Sequence, residues 1–431
     1  MKHTRSLLLL TIACLCLLLT ACGSTPAQSH ITVTPRATRT TPASTNCPPA
    51  GTGRAATMPP LSQPLGHHQN LVYISDVDDQ PTSGSLVHYD VTTGSKTTIL
   101  TLKNANIAEA QLSTDGQWIL FTDQIYNPAI HSYGVQMLQL IRIDGKALQT
   151  LYCAPQGTAS LMLTWSPDQQ HVAFFGGKKE GDSFAGVSTF DLHTGKVQLV
   201  LDDPSGLATL FWKNDQQLYI RFAQMIPTST LYMLDTTRGP NQHVKDLTLV
   251  FQQQTSKPCW NAAASFDRST LFISQCTPAP TNWSGAPYQP SAPSSVSQQA
   301  ATGGSLHTIT TTKQLTIVDV HAVSPDMLLF NVASPITRRG ETDSRDGLWK
   351  VNTDGSGLLQ LMHEGSANGN GNEEPAWHYV SRDGMLYVYS IWNWATTQNT
   401  LKYGSLSGGP TTAFATSNKS DSATIVGWTV L

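Results

Sequence analysis

Along most of the chain a short apolar run, a polar turn carrying an aspartate and a second apolar run follow one another, and this unit recurs six times. The aspartates are Asp115, Asp168, Asp215, Asp267, Asp326 and Asp383, and the residue three before each is apolar: Leu112, Trp165, Trp212, Ala264, Val323 and Val380. Short runs rich in aromatic and β-branched residues predict strands. The Ser-Pro-Asp-Gly-like tetrapeptides between them predict turns, because Pro presets φ and Asp accepts hydrogen bonds from the turn backbone. A second turn follows in most units, at Asp90–Gly94, Ile143–Gly145, Asp191–Gly195, Asn352–Gly355 and Ser405–Gly408, each after another strand such as Leu86–Tyr89 or Leu348–Val351. Successive aspartates lie 47 to 59 residues apart. Two hairpins fit that length, so each unit predicts a four-stranded antiparallel sheet, the size of a propeller blade.

The two ends of the repeat region complete the count. Asn70–Leu100 has a hairpin but no first strand of its own, whereas Ala423–Leu431 reads as a first strand with nothing after it. Both fit if the last strand fills the innermost place of the first blade and closes the ring, removing free sheet edges. The expectation is an all-β, seven-bladed β-propeller over 70–431, with blades near 70–101, 106–153, 161–202, 206–250, 259–318, 319–363 and 373–417 and 422–431 as clasp. Six blades result if one weak unit is irregular. The motif Trp165–Asp168 (Trp-Ser-Pro-Asp) resembles the Trp-Ser-Pro-Asp-Gly motif of TolB-like, WD-like propeller repeats, and the resemblance spans roughly 70–431. It implies a non-catalytic module that binds other envelope proteins. Similar propellers also precede hydrolase domains in the prolyl-oligopeptidase family.

Ahead of the repeats, Lys2 and Arg5 precede an apolar run, Leu7–Leu19, and then Leu19-Thr-Ala-Cys22. A basic end, a short apolar core and small residues before a cut make a secretory signal, too short to span ~30 Å of hydrocarbon. The last four residues resemble the lipobox of bacterial lipoproteins, which implies cleavage after residue 21 and lipidation at Cys22, an extracytoplasmic address at a membrane. Residues 1–22 are thus expected to be a leader. Residues 23–69, rich in Thr, Pro and Ser, are expected to be a disordered tether, since they offer too little apolar surface to offset ordering entropy. Five of the 26 basic residues (Lys2, Arg5, Arg36, Arg39, Arg54) lie in these segments and all 29 acids lie beyond them, so the propeller region carries about −8. That balance excludes a generally basic nucleic-acid binder.

Seven cysteines reduce to four once Cys14, Cys16 and Cys22 leave or take lipid. Cys259 and Cys276 flank Asp267 at 8 and 9 residues, so a hairpin there sets them opposite each other, as a disulfide or as buried thiols. Cys47 with Cys153 is the remaining pair and would staple the tether to the second blade. Catalytic motifs are sparse: there is no nucleophile elbow, phosphate loop, His-Glu-x-x-His or Cys-x-x-Cys. His67 with His68 reads as a solvated pair, Asp76, Asp78 and Asp79 as a solvated turn, and the repeat aspartates as turn caps. No cofactor, no metal and no catalytic residue is expected, and the chain is read as a monomer.

Loop length varies on one face, where second-to-third strand loops and blade links meet: 124–134, 176–186, 277–304 (uncharged), 334–347, 363–375 and 391–399. Binding groups concentrate on such irregular surface. The candidate contacts there are Tyr126, Tyr133, Trp283, Tyr288, Trp392 and Trp394 beside Lys178, Lys179, Arg338, Arg339, Glu373 and Glu374, since aromatics and arginine are enriched at interface centres. The expected role is an envelope protein-binding scaffold. The alternative is recognition of a carbohydrate or other small ligand at the face or channel.

Overall fold

A computed structural model of the chain describes residues 40–42, 47–48, 61, 68–76, 83–127, 132–154, 163–175, 186–202, 207–222, 228–240, 242–254, 260–276, 293–313, 315–333, 344–363, 373–393, 398–417 and 423–431. Its strands form seven sheets, each a blade of four antiparallel strands joined in sequence order. The chain is a seven-bladed β-propeller. Blade 1 is the exception in order: the clasp strand, Ala423–Thr429, pairs antiparallel with Asn70–Asp76 and takes the innermost place. Blades 2 to 7 begin at Ala105, Leu163, Leu207, Trp260, Thr316 and Glu373.

The strands are apolar on both faces because every blade is sandwiched. Val72, Ile74 and Leu86 of blade 1 face Ile107, Ile119 and Phe121 of blade 2, while Leu71, Tyr73 and Tyr89 on the other face of blade 1 pack against Val388, Leu401 and Phe414 of blade 7. Equivalent clusters fill every other junction, so the core is a ring of seven wedges. Each fully buried large side chain in these wedges contributes about 1.5–3 kcal/mol.

The first-to-second and third-to-fourth turns of each blade share one end of the ring, the turn face; loops and links share the other, the loop face. In five blades the first turn shares a serine–aspartate cap. Ser113, Ser166, Ser265, Ser324 and Ser381 each donate from Oγ to the carboxylate two residues on, at 2.5–2.6 Å. In four of them the serine oxygen also accepts from the backbone N–H five residues on. Blade 4 departs from this: Asn214 caps Gln216 N instead, and Asp215 accepts from Asp168 N of blade 3 at 2.9 Å. The aspartates are turn caps and blade links.

The segment expected to be a disordered tether makes contact with the propeller at Thr40–Pro42, Cys47 and Leu61. Thr40–Pro42 adds a fifth, parallel strand to blade 1 opposite Thr101–Lys103, and Cys47 is bonded to Cys153 at the end of blade 2. Leu61 packs on the core between blades 1 and 2 and its N–H donates to Gln117 Oε1 at 3.0 Å. These residues need no core of their own, because the unpaired edge of blade 1 supplies backbone partners and the disulfide supplies a covalent fix. Cys276 is disulfide-bonded too; Cys259 lies outside the described residues, as do residues 1–39, including Cys22. The Cys47–Cys153 bond spans 106 residues, so Cys153→Ser is expected to lower stability by about 2–4 kcal/mol. An unchanged urea midpoint against wild type would contradict this.

Candidate functional site

At the axis of the turn face the inner turns surround a recess of ≈ 670 Å³, lined by Ser113 and Thr114 of blade 2, Phe266 of blade 5, Pro325 of blade 6, Arg382 of blade 7 and Trp428 of the clasp, among others. The wall is held by bonds that cross from blade to blade. Arg382 donates from Nε to Trp428 O and from Nη2 to Ser113 O, both at 3.2 Å, and from Nη1 to Thr114 O. One guanidinium therefore joins blades 7, 1 and 2 across the ring closure; burial lowers its pKa, but an arginine keeps its charge.

The position after the turn aspartate is left-handed in four blades: Gly116, Gln169, Arg268 and Gly384, with φ between 61° and 71°. Where it is not glycine, the side chain reaches the neighbouring blade: Gln169 Oε1 accepts from Thr114 N at 2.9 Å and Arg268 Nη1 donates to Trp212 O at 2.9 Å. Gly116 has no such freedom, since a Cβ there would stand 2.7 Å from Thr429 Oγ1 of the clasp.

Deeper along the axis, the inner strand of blade 2 supports the three-residue inner strand of blade 3. Gln111 donates from Nε2 to Leu163 O at 2.9 Å and accepts from Trp165 N at 3.1 Å, while Glu109 Oε2 accepts from Leu163 N at 3.0 Å. Burial pushes the Glu109 carboxyl up to about 7 against the pull of that N–H. Asp123, on the next strand, is fully buried and is also pushed up to about 7 by burial. Its Oδ2 accepts from Gln139 Nε2 at 3.3 Å, while Asp123 Oδ1 and Gln139 Oε1 have no hydrogen-bond partner. A protonated Asp123 can donate to that Gln139 oxygen, which pairs both groups. Among the described residues no three His, Cys, Asp or Glu side chains converge on a metal-sized site.

Five of the candidate contact residues are described, and they fall at the loop-face ends of strands. Strands there run further than the sequence pattern predicts: Trp118–Asn127 and Ser132–Arg142 pair Tyr126 with Tyr133. Glu373–Val380 and Leu386–Asn393 pair Glu374 with Trp392, one residue from Glu373. These five, expected in loops, are strand residues, because the aromatic and β-branched runs continue the ladder to the tips. Their side chains lie outside what the structure describes. Lys178, Lys179, Trp283, Tyr288, Arg338, Arg339 and Trp394 lie outside the described residues, as do His67, Asp78 and Asp79. The expected insertion 277–304 contains a strand, Ser294–Ala300, the third of blade 5.

Sequence reasoning missed the apolar residues of the turn face. Phe266 and Met385 are 58% and 60% exposed in the inner turns of blades 5 and 7. Their signal was a large apolar side chain inside a Ser/Asp/Gly turn.

Solved structures share this architecture. The β-propeller domain of the Trilobed protease from Pyrococcus furiosus is 12% identical, with 84% of this chain and 96% of that one covered and a TM-score of 0.51. These likenesses establish the fold. Oligopeptidase B from Trypanosoma brucei is 11% identical at a TM-score of 0.50, covering 85% of this chain. A putative TolB from Agrobacterium tumefaciens is 11% identical over 84% of this chain and 98% of its own, with a TM-score of 0.38. The chain spans 49% of the oligopeptidase and 41% of a prolyl endopeptidase to which it is 15% identical, less than half of each. No family model matches the chain, and no curated protein matches it.

Proposed function

We propose that the protein is a non-catalytic β-propeller, lipid-anchored at Cys22, that binds an envelope protein or peptide at its turn face. The recess at the ring axis carries this reading. Its serines and Arg382 are engaged in holding turns and blades together, which leaves shape, apolar surface and the charge of the capped carboxylates for recognition instead of reactive groups. Rigid rings with side chains committed in this way suit docking, because little ordering entropy is lost on binding.

Cross-linking in intact cells tests the reading. A discrete cross-linked partner is expected from wild type, lost on replacing Phe266 with Ser and kept with Trp392→Ala on the loop face. Capture that follows Trp392 instead would place the binding surface on the loop face. Selective binding on a glycan array without any cross-linked protein would favour a carbohydrate ligand. Turnover of peptide or ester substrates by the purified chain would sink the non-catalytic reading. For the anchor, Cys22→Ala is expected to move the protein from the membrane to the soluble fraction; unchanged membrane retention would refute lipidation at that residue.

A further inference from the structure

Among the described residues, six large apolar side chains are exposed: Leu249, Phe266, Leu306, Leu358, Leu359 and Met385. All six lie at the turn face, and all in blades 4 to 7. Isolated exposed apolar residues are ordinary, whereas a one-sided concentration marks an interaction surface. The outer turns overlap from blade to blade. Gly303 of blade 5 sits over Val250 O of blade 4 and Gly355 of blade 6 over Ile309 O of blade 5, so close that a Cβ on either would stand 3.0 Å or 2.9 Å from that oxygen. Leu249, Leu306 and the Leu358–Leu359 pair therefore follow one another along a single arc, while Phe266 and Met385 stand inside it on the inner turns, Phe266 at the rim of the recess.

The charges on this arc are one-sided as well. The turns of blades 5 to 7 carry Asp267, Asp326, Asp354 and Asp383 against Arg268, Arg382 and, beside them, Lys350, whose Nζ donates to Leu406 O in the outer turn of blade 7. Both guanidiniums are bonded to backbone carbonyls. Among the described residues none of the four carboxylates has an ion-pair partner. Hydrogen bonds from Ser265 and Ser269 hold Asp267 down to about 2, and Ser356 lowers Asp354. The turn of blade 4 is balanced, Arg238 and Lys245 against Asp235 and Asp246.

We infer that the turn-face arc of blades 4 to 7 docks a basic amphipathic segment of a partner protein, with its apolar side chains on Phe266, Leu306, Leu358 and Met385 and its Lys or Arg residues against the four carboxylates. The inference rests on the scaffold reading above and specifies the partner's chemistry. The same carboxylates disfavour an anionic lipid surface, since like charges repel across a low-salt gap.

The test measures the full chain by fluorescence anisotropy against short labelled peptides of equal Trp and Leu content, one lysine-rich and one glutamate-rich. A triple variant, Phe266→Ser with Leu358→Ser and Met385→Ser, changes only exposed side chains, and an unchanged thermal midpoint verifies its fold. The lysine-rich peptide is expected to bind the wild type at least tenfold more tightly than the glutamate-rich one and to lose at least tenfold on the triple variant. Equal affinity for the two peptides, or no effect of the triple variant, overturns the inference. So does binding to phosphatidylglycerol vesicles, or self-association in sedimentation, that the triple variant abolishes. If cross-linked capture in cells persists in the triple variant, this arc and the turn-face placement are both wrong and only the scaffold role stands; if wild type captures nothing, the scaffold reading itself falls.

Discussion

Deleting residues 423–431 is expected to abolish the cooperative unfolding transition altogether. The strand they form supplies the whole inner edge of blade 1, pairing along Asn70–Ser75. It also sends side chains both ways: Ile425 and Trp428 enter the wedge between blades 7 and 1, and Val426 and Leu431 the wedge between blades 1 and 2. Its end is tied by Asn70 Nδ2 donating to Leu431 O at 3.2 Å and Thr429 Oγ1 donating to Gly116 O at 3.2 Å, and Arg382 closes on Trp428 O. Replacing Trp428 alone with Ala should remove about 3–5 kcal/mol, a large part of the ~5–15 kcal/mol that holds a typical domain folded. Losing the strand removes several such contributions and exposes two wedges. Urea titration followed by tryptophan fluorescence measures it, and a synthetic peptide of residues 423–431 added to the truncated chain should restore part of the signal. A truncated ring that unfolds with the wild-type midpoint would show that the clasp does not close the propeller.

The second large effect is a loss of stability as pH rises from the ordinary carboxylate range to about 7. Glu109 and Asp123 are both pushed by burial to about 7, well above their ordinary values. Each binds its proton more tightly folded than unfolded, so the stability they contribute is complete below the usual carboxylate range and is lost as pH rises through about 7. Between the ordinary carboxylate range and about 7, each adds a slope of roughly 1.4 kcal/mol per pH unit, ~2.7 kcal/mol for the two, and above 7 the loss levels off. Asp267 and Asp354 act in the opposite sense: hydrogen bonds lower them in the fold, so their contribution exists above the ordinary aspartate value and is lost on acidification. Stability should therefore peak in mildly acidic solution. The double variant Glu109→Gln with Asp123→Asn keeps the shapes and the acceptor toward Leu163 N. Its advantage over wild type should grow by at least ~2 kcal/mol between pH 5 and pH 8. Equal differences at both pH values would mean that neither carboxyl is protonated in the fold.

How much of this was legible beforehand depends on where a residue's partner lies. The turn aspartates were read correctly as caps because their donors, the serine two residues back and the N–H two residues on, are local. The Ser294–Ala300 strand was hidden, since its buried positions include Ser294, Ser297 and Gln299. Those polar groups are tolerated because Ser294 donates to Leu315 O in the link to blade 6 and Gln299 to Val250 O in blade 4. A strand whose burial is satisfied from outside its own sheet carries no alternation to detect. The Cys47–Cys153 staple was legible as the leftover cysteine pair, but the strand at Thr40–Pro42 was missed for the same reason: it borrows the edge of blade 1.

The repeat of apolar strands and capped turns, read alone, determined the fold class, the seven blades and the closing strand, because each follows from period, turn chemistry and the need to cover sheet edges. Tertiary structure alone decided which groups are occupied and which are presented. Arg382, Gln111 and Glu109 are spent on joining blades, Asp123 is fully buried in blade 2, and the exposed apolar residues gather on the turn face. Those outcomes depend on contacts between residues tens to hundreds of positions apart, such as Arg382 with Ser113, which only ring closure brings together.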